Sequence, residues 1–198
     1  MDGQVARRLI LASASPRRRQ LLTQMGYVFT VDPAHIDEDA VEAKRPAVLA
    51  EKLAYLKARA VAGRQAEPVL VIGADTVVVS RRRVLGKPAD EDEAAAMLKC
   101  LSGSWHRVVT GVALVDVHSG RHLVSHETTA VRFAPMTEAE IHDYLKTGDS
   151  MDKAGAYGIQ GRAGMYIPRI RGCYFNVMGL PLHRLHAMLG EMGYPLPS

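Results

Sequence analysis

The chain has 198 residues, 47% hydrophobic and 23% charged, a balance that excludes disorder, collagen and coiled coil and fits an ordinary folded protein. At this length about 70% of the unfolded chain's surface is buried on folding, so neither a disulfide nor a structural metal is needed for stability. Twenty-five Lys and Arg against 21 Asp and Glu give a net charge of +4, with 6% aromatic residues, which suits a small phosphorylated ligand better than a nucleic-acid polymer.

Short apolar runs rich in β-branched residues alternate with helical stretches, a pattern that predicts α/β architecture. Leu9 to Ala12 reads as a first strand. Ser15 and Pro16 then start a helix as N-cap and first residue, running to about Met25, with Gly26 ending it. From Pro46 to Ala62, Leu49, Leu53, Leu56 and Ala60 form one apolar stripe, with Lys57 at its edge. Val69 to Val79, VLVIGADTVVV, reads as a strand covered on both faces and interrupted by Asp75 and Thr76. Glu91 to Leu101 is a helix with an acidic first turn, ended by Ser102 and Gly103. Arg107 to Val117 and His122 to Phe133 are strands flanking a hairpin turn at His118-Ser119-Gly120-Arg121. Thr137 and Glu140 make a capping box for a helix to about Lys146. The segment from Asp152 to Gly164, DKAGAYGIQGRAG, carries four glycines and reads as a shaped loop. Met165 to Ile170 and Cys173 to Val177 are expected as short strands, and Pro181 to Gly190 as a last amphipathic helix. No linker divides residues 1–198 into independent domains.

Cys100 and Cys173 lie far apart and outside any zinc spacing, as expected of a reduced, cytoplasmic protein. The N-terminal stretch lacks the apolar length of a secretory signal, and no run of 18 apolar residues suggests a membrane partner.

Several residues carry chemistry. Ser13, Arg17 and Arg18 stand where a strand turns into a helix N-terminus, a place where unpaired N–H groups, hydroxyls and guanidiniums bind phosphate; a plain Ser-Pro cap with solvated arginines has the same pattern. Arg81, Arg82 and Arg83 form a second basic cluster. Asp75 sits inside an apolar run, where an ionised carboxylate needs compensation. A metal ion, a lysine, a reacting water or backbone amides would each supply it. Lys57 by itself reads as a helix lysine with its head in water. Lys87, in Gly86-Lys87-Pro88, places an ammonium on a constrained turn that is not a Walker A loop. Asp37, Glu38 and Asp39 offer hard oxygens suited to Mg²⁺ held jointly with substrate phosphates, or a solvated acidic turn. In the glycine-rich loop, Asp152, Lys153 and Gln160 are polar residues available to a ligand, and the Gln160 amide can read a base edge.

The order of the blocks LASASPRR, GADTVV, GKP, LSG, DKAGAYGIQG and NVMGLPL resembles the Maf family of nucleoside triphosphate pyrophosphatases, from about Leu9 to Leu185. That resemblance implies an elongated α/β fold similar to inosine triphosphate pyrophosphatases, with a mixed sheet and two lobes around a central cleft. It also implies a homodimer dependent on Mg²⁺ or Mn²⁺. The family pattern makes Asp75 the catalytic base and a metal partner, gives Arg17, Thr76 and Gln160 to base selection and Lys57 and Lys87 to substrate binding, and expects an acid near Glu38 at the metal. The wording DKAGAYGIQG resembles the dTTP/UTP branch, which implies hydrolysis of dTTP and UTP to the monophosphate and pyrophosphate. Two alternatives stand beside it: the same chemistry on 7-methyl-GTP or a modified pyrimidine, and a nucleotide-binding regulator of septum formation.

Overall fold

The computed structural model describes residues 7–195 and residue 197. Its strands are β1 (Arg8–Leu11), β2 (Phe29–Val31), β3 (Val69–Ser80), β4 (Arg83–Leu85), β5 (Trp105–Asp116), β6 (His122–Arg132) and β7 (Arg169–Arg171). The helices are α1 (Pro16–Gln24), α2 (Pro46–Ala62), α3 (Glu91–Leu101), α4 (Glu138–Leu145), α5 (Tyr174–Met178) and α6 (Leu182–Glu191). The sheet is mixed, in the order β2-β1-β3-β5-β6-β7 with β4 paired to β3. β1 lies parallel to both β2 and β3, whereas β3–β4 and β6–β7 are antiparallel. The expected α/β class with a mixed sheet is what folds.

Two compact units share the chain. The first comprises Met1–Asp75, Thr110–Glu127 and Gly179–Ser198. Ile10, Val71 and Ala113 pack with Ala54, Ala58 and Val61 of α2, and the alternate strand residues Leu9, Leu11, Leu70 and Ile72 are equally buried on the opposite face. Burial on both faces is why these strands read as nearly continuous apolar runs. Two glycines set how closely α2 lies on the sheet. A Cβ built at Gly73 would fall 2.1 Å from the Ala54 carbonyl oxygen, and one at Gly111 would fall 2.2 Å from that of Ala50. Only bare backbone on the strands and alanines on the helix admit this approach. The buried face of α2 is therefore Ala50, Leu53, Ala54, Lys57, Ala58 and Val61, rotated from the expected stripe, of which Leu49, Leu56 and Ala60 are only half-buried.

The second unit comprises Thr76–Val109 and Thr128–Met178. Val78, Leu98, Leu101, Val108, Phe133 and Tyr144 form its core. His106 is buried there against Phe133 and Tyr157, with its Nε2 2.7 Å from the Tyr157 hydroxyl. Burial lowers the His106 pKa to about 4, so the ring is neutral at ordinary pH. The β3–β4 connection is a two-residue hairpin in which Arg81 (φ 47°) and Arg82 (φ 68°) both adopt left-handed backbone. That turn normally takes Asn-Gly, because other residues pay a steric penalty of roughly 1–2 kcal/mol at each such position.

The sequence places most elements within a residue or two, including the capping box of α4 at Thr137 and Glu140. Three differences stand out. β2 and β4, at three residues each, are too short to show a period and were not expected. Met165 and Tyr166 belong to a 3-10 turn, Arg162–Tyr166, and β7 is confined to Arg169–Arg171. The expected strand from Cys173 to Val177 is instead helix α5, because the chain turns at Gly172 (φ 123°), where a Cβ would lie 2.9 Å from Thr129 Oγ1. Asn176 then anchors the helix, its Nδ2 donating to the Val108 carbonyl and to Thr129 Oγ1.

Candidate active site

The site begins where β1 enters α1. Ser15 caps the helix, its Oγ accepting from the Arg18 N–H, and Pro16 occupies the first turn. Ser13, 8% exposed, accepts with its Oγ from the Ser15 N–H at 3.2 Å and from Arg18 Nη1 at 3.1 Å. Arg18 Nε donates to the Gly179 carbonyl at 2.8 Å. The guanidinium of Arg18 is therefore fixed over Ser13, beside Arg17, the residue matched by the family pattern. Burial lowers the Arg18 pKa, with the Arg17 charge adding to it and those of Asp75 and Glu38 opposing it in part. Arginine remains protonated throughout, so this is a permanent cation at a hydroxyl-lined turn.

α2 supplies the second cation. Because Gly73 and Gly111 let the helix approach the sheet, Lys57 is 9% exposed, not at the stripe's edge with its head in water. Its Nζ donates to Asp75 Oδ1 at 2.6 Å and lies 2.9 Å from Glu38 Oε1. Asp75, at 7% exposure, is thus compensated by a lysine, one of the partners its burial required. The Asp75 pKa is nonetheless raised. Burial is the largest cause; Lys57 and Arg18 oppose it, and the Glu38 charge adds to it. Of the three neighbouring acids, Glu38 reaches this cluster, while Asp37 Oδ1 accepts from the Ala40 N–H within its own turn.

Ser13, Glu38, Lys57 and Asp75, with Arg18 added, thus come together in the first unit. Arg18 was singled out in the sequence with Ser13 and Arg17 at this turn, but the family pattern assigned it no role. Thr76, Lys87, Lys153 and Gln160 belong to the second unit. Thr76 follows Asp75 on β3 and so faces the other side of the strand. Lys87 is exposed, and its turn is tied to the glycine-rich loop by a hydrogen bond from the Gly155 N–H to the Gly86 carbonyl at 2.9 Å. Gln160 is also exposed. Lys153 Nζ lies 2.5 Å from Asp152 and 3.7 Å from Asp149, with its side chain 12% exposed.

Among the described residues no three His, Cys, Asp or Glu side chains are grouped to hold a metal ion. Two hard carboxylates, Glu38 and Asp75, do share the Lys57 ammonium. That donor set fits Mg²⁺ or Mn²⁺ taken up together with phosphate oxygens and water, and does not form a cage for a bare ion. Also among the described residues, no helix is long and apolar enough to cross a membrane.

Fixed cations over a hydroxyl turn beside a buried carboxylate can grip phosphate oxygens and orient a water. The family described as Maf-like protein matches residues 8–192. A relative from Symbiobacterium thermophilum, named dTTP/UTP pyrophosphatase, is 56% identical over 188 residues, covering 95% of both chains. Relatives of the same name from Pelotomaculum thermopropionicum and a Geobacillus species are 53% and 51% identical, covering 94% and 95% of this chain and 97% and 100% of their own. With the match spanning both units and every block read from the sequence, the chain belongs to the Maf family.

Proposed function

We propose that the protein is a nucleoside triphosphate pyrophosphatase that hydrolyses dTTP and UTP to the monophosphate and pyrophosphate. The observation that carries this reading is the buried Lys57–Asp75 pair, flanked by Glu38 and by Arg18 over Ser13. The names of its relatives support the choice of nucleotide.

In this mechanism Ser13, Arg18 and the start of α1 bind phosphate oxygens, and Lys57 and Lys87 add positive charge. Asp75 orients a water in line with the α-phosphorus and accepts its proton as pyrophosphate leaves. Lys57 keeps that carboxylate ionised and aimed. A divalent ion, Mg²⁺ or Mn²⁺, supplies charge neutralisation of the triphosphate when bound, with Glu38 and Asp75 as its protein partners. Arg17, Thr76 and Gln160 select the base, and Lys153, on the same glycine-rich loop as Gln160, binds substrate. The enzyme is taken to act in the cytoplasm as a homodimer, which sedimentation velocity tests directly.

Pyrophosphate release from dTTP, UTP, CTP, GTP and 7-methyl-GTP, with each metal, tests the reading. Wild type should turn over dTTP and UTP, and Asp75→Asn should lose about 100-fold or more in rate while remaining folded. Full turnover in that variant removes Asp75 as base, and a silent panel with folded wild type overturns the enzyme reading. Gln160→Leu should weaken dTTP and UTP selectively; an equal effect on every nucleotide argues against base reading.

A further inference from the structure

The second unit holds a cationic surface that the proposed hydrolysis does not use. Arg81 and Arg82 of the β3–β4 hairpin, Trp105 and Arg107 of β5 and Arg171 of β7 line a hollow of about 290 Å³. A second hollow, of about 350 Å³, shares Trp105 and Arg171 and adds Arg132 and Arg169. Among the described residues, no Asp or Glu lines either one. Trp105 is 40% exposed, and the Arg171 guanidinium lies 4.9 Å from the centre of its ring. None of these residues belongs to the Lys57–Asp75 cluster.

We infer that this face binds a short stretch of single-stranded nucleic acid, with a base against Trp105 and successive phosphates on the flanking arginines. Charge decides among occupants. A second copy of this chain meeting the face about a two-fold axis would set arginines against arginines. A mononucleotide carries its negative charge on one side of its base, whereas the arginines flank Trp105 on both sides. They extend from the β3 hairpin across β5 and β6 to β7, roughly 14 Å at ordinary strand spacing. A polynucleotide backbone places phosphates on both sides of a stacked base, and an aromatic platform in a cationic groove is how single strands are held without sequence preference. The hairpin is an independent observation. Arg81 and Arg82 occupy left-handed positions that favour Asn and Gly, and strained backbone at an exposed cationic tip concentrates at ligand-binding sites.

Trp105 is the chain's single tryptophan, so its fluorescence reports this surface alone. Titration of the full-length protein with a thymidine hexanucleotide, in EDTA and at low salt, should change that fluorescence saturably. Log affinity should fall with log salt by about 0.7 for each phosphate engaged. The double variant Arg81→Asn/Arg82→Gly removes two cations while giving the turn its preferred residues, so it folds at least as well. Its salt slope should be shallower by about 1.4 if both arginines touch phosphate, with dTTP turnover kept. No fluorescence response at low salt overturns the inference. So does equal affinity of wild type and double variant, or binding of thymidine monophosphate as tight as that of the hexanucleotide.

Discussion

Asp75 is held between burial, which favours its neutral form, and two cations, which favour its charged form; burial prevails and its pKa is raised. As a general base it must be ionised, so kcat/KM should rise with pH along a limb displaced above the ordinary aspartate value near 4. Lys57 is the first of the lowering influences. Lys57→Met should therefore move that limb to still higher pH, a change separable in the pH profile from any loss of phosphate binding; a limb that stays put or moves down removes Lys57 as the residue that keeps the base charged. The same shift has a stability consequence of opposite sense to activity. A carboxyl with a raised folded pKa contributes stability fully below its unfolded pKa and loses it as pH rises through the folded value. Urea unfolding of Asp75→Asn against wild type should thus favour the variant increasingly as pH rises from below 4. His106 runs the other way. Its pKa is lowered to about 4 by burial, so its contribution is complete above about 6.5 and is lost as pH falls toward 4. Between pH 7.5 and 5 that loss comes to about 2 kcal/mol, and His106→Gln should show a pH dependence of stability flatter by about that amount.

Helix α2 shows how an element can carry a functional side chain to a place its own periodicity does not announce. Gly73 and Gly111 remove the Cβ atoms that would meet the helix backbone, and the alanines at 50, 54 and 58 then face the strands at four-residue spacing. This close approach sets Lys57 2.6 Å from Asp75. Gly73→Ala should push α2 away from β3, costing roughly 1–3 kcal/mol as an overpacked core does, and should lower turnover beyond what the lost stability explains. Thermal unfolding and dTTP turnover check the two halves separately, and a variant unchanged in both would show that the approach is not what places the lysine. The helix itself was legible from Pro46 to Ala62, but its buried face was not, because the leucines that dominate the apolar pattern are larger than the Gly–Ala contact admits. Elements defined by long periods or caps, such as β3, α3 and α4, could be read directly. β2, β4 and α5 could not, since three to five residues fix no period and α5 depends on a turn at Gly172 and on the tertiary hydrogen bonds of Asn176.

Across the whole molecule, the site residues that the sequence exposed are those whose local setting contradicts their chemistry. Asp75 in an apolar strand is the clearest. Neighbours on a helix differ in direction by about 100°, so nothing local shows which tertiary partners Arg18 takes, and the bonds to Ser13 and Gly179 appear only in the fold. Of the cationic face around Trp105, the sequence showed only the cluster at Arg81 and Arg82, because the rest is assembled from Trp105, Arg107, Arg132, Arg169 and Arg171, which are scattered along the chain. Charge also decides how a divalent ion should act on the fold as a whole. Glu38 and Asp75 already share Lys57, so Mg²⁺ alone must compete with an ammonium for two carboxylates, whereas a triphosphate brings further oxygens and an attraction to Arg18 and Lys57. A ligand that binds only the folded state stabilises it by RT ln(1 + L/Kd), where L is its free concentration, and so appreciably only where that concentration exceeds its Kd. Millimolar Mg²⁺ alone should therefore leave the unfolding temperature nearly unchanged. Mg²⁺ with a non-hydrolysable dTTP analogue should raise it by several degrees, and by more than the analogue does in EDTA; Glu38→Gln should narrow that difference. A large shift with Mg²⁺ alone would mean that the protein holds the ion without its substrate and that the shared role of the phosphates is wrong.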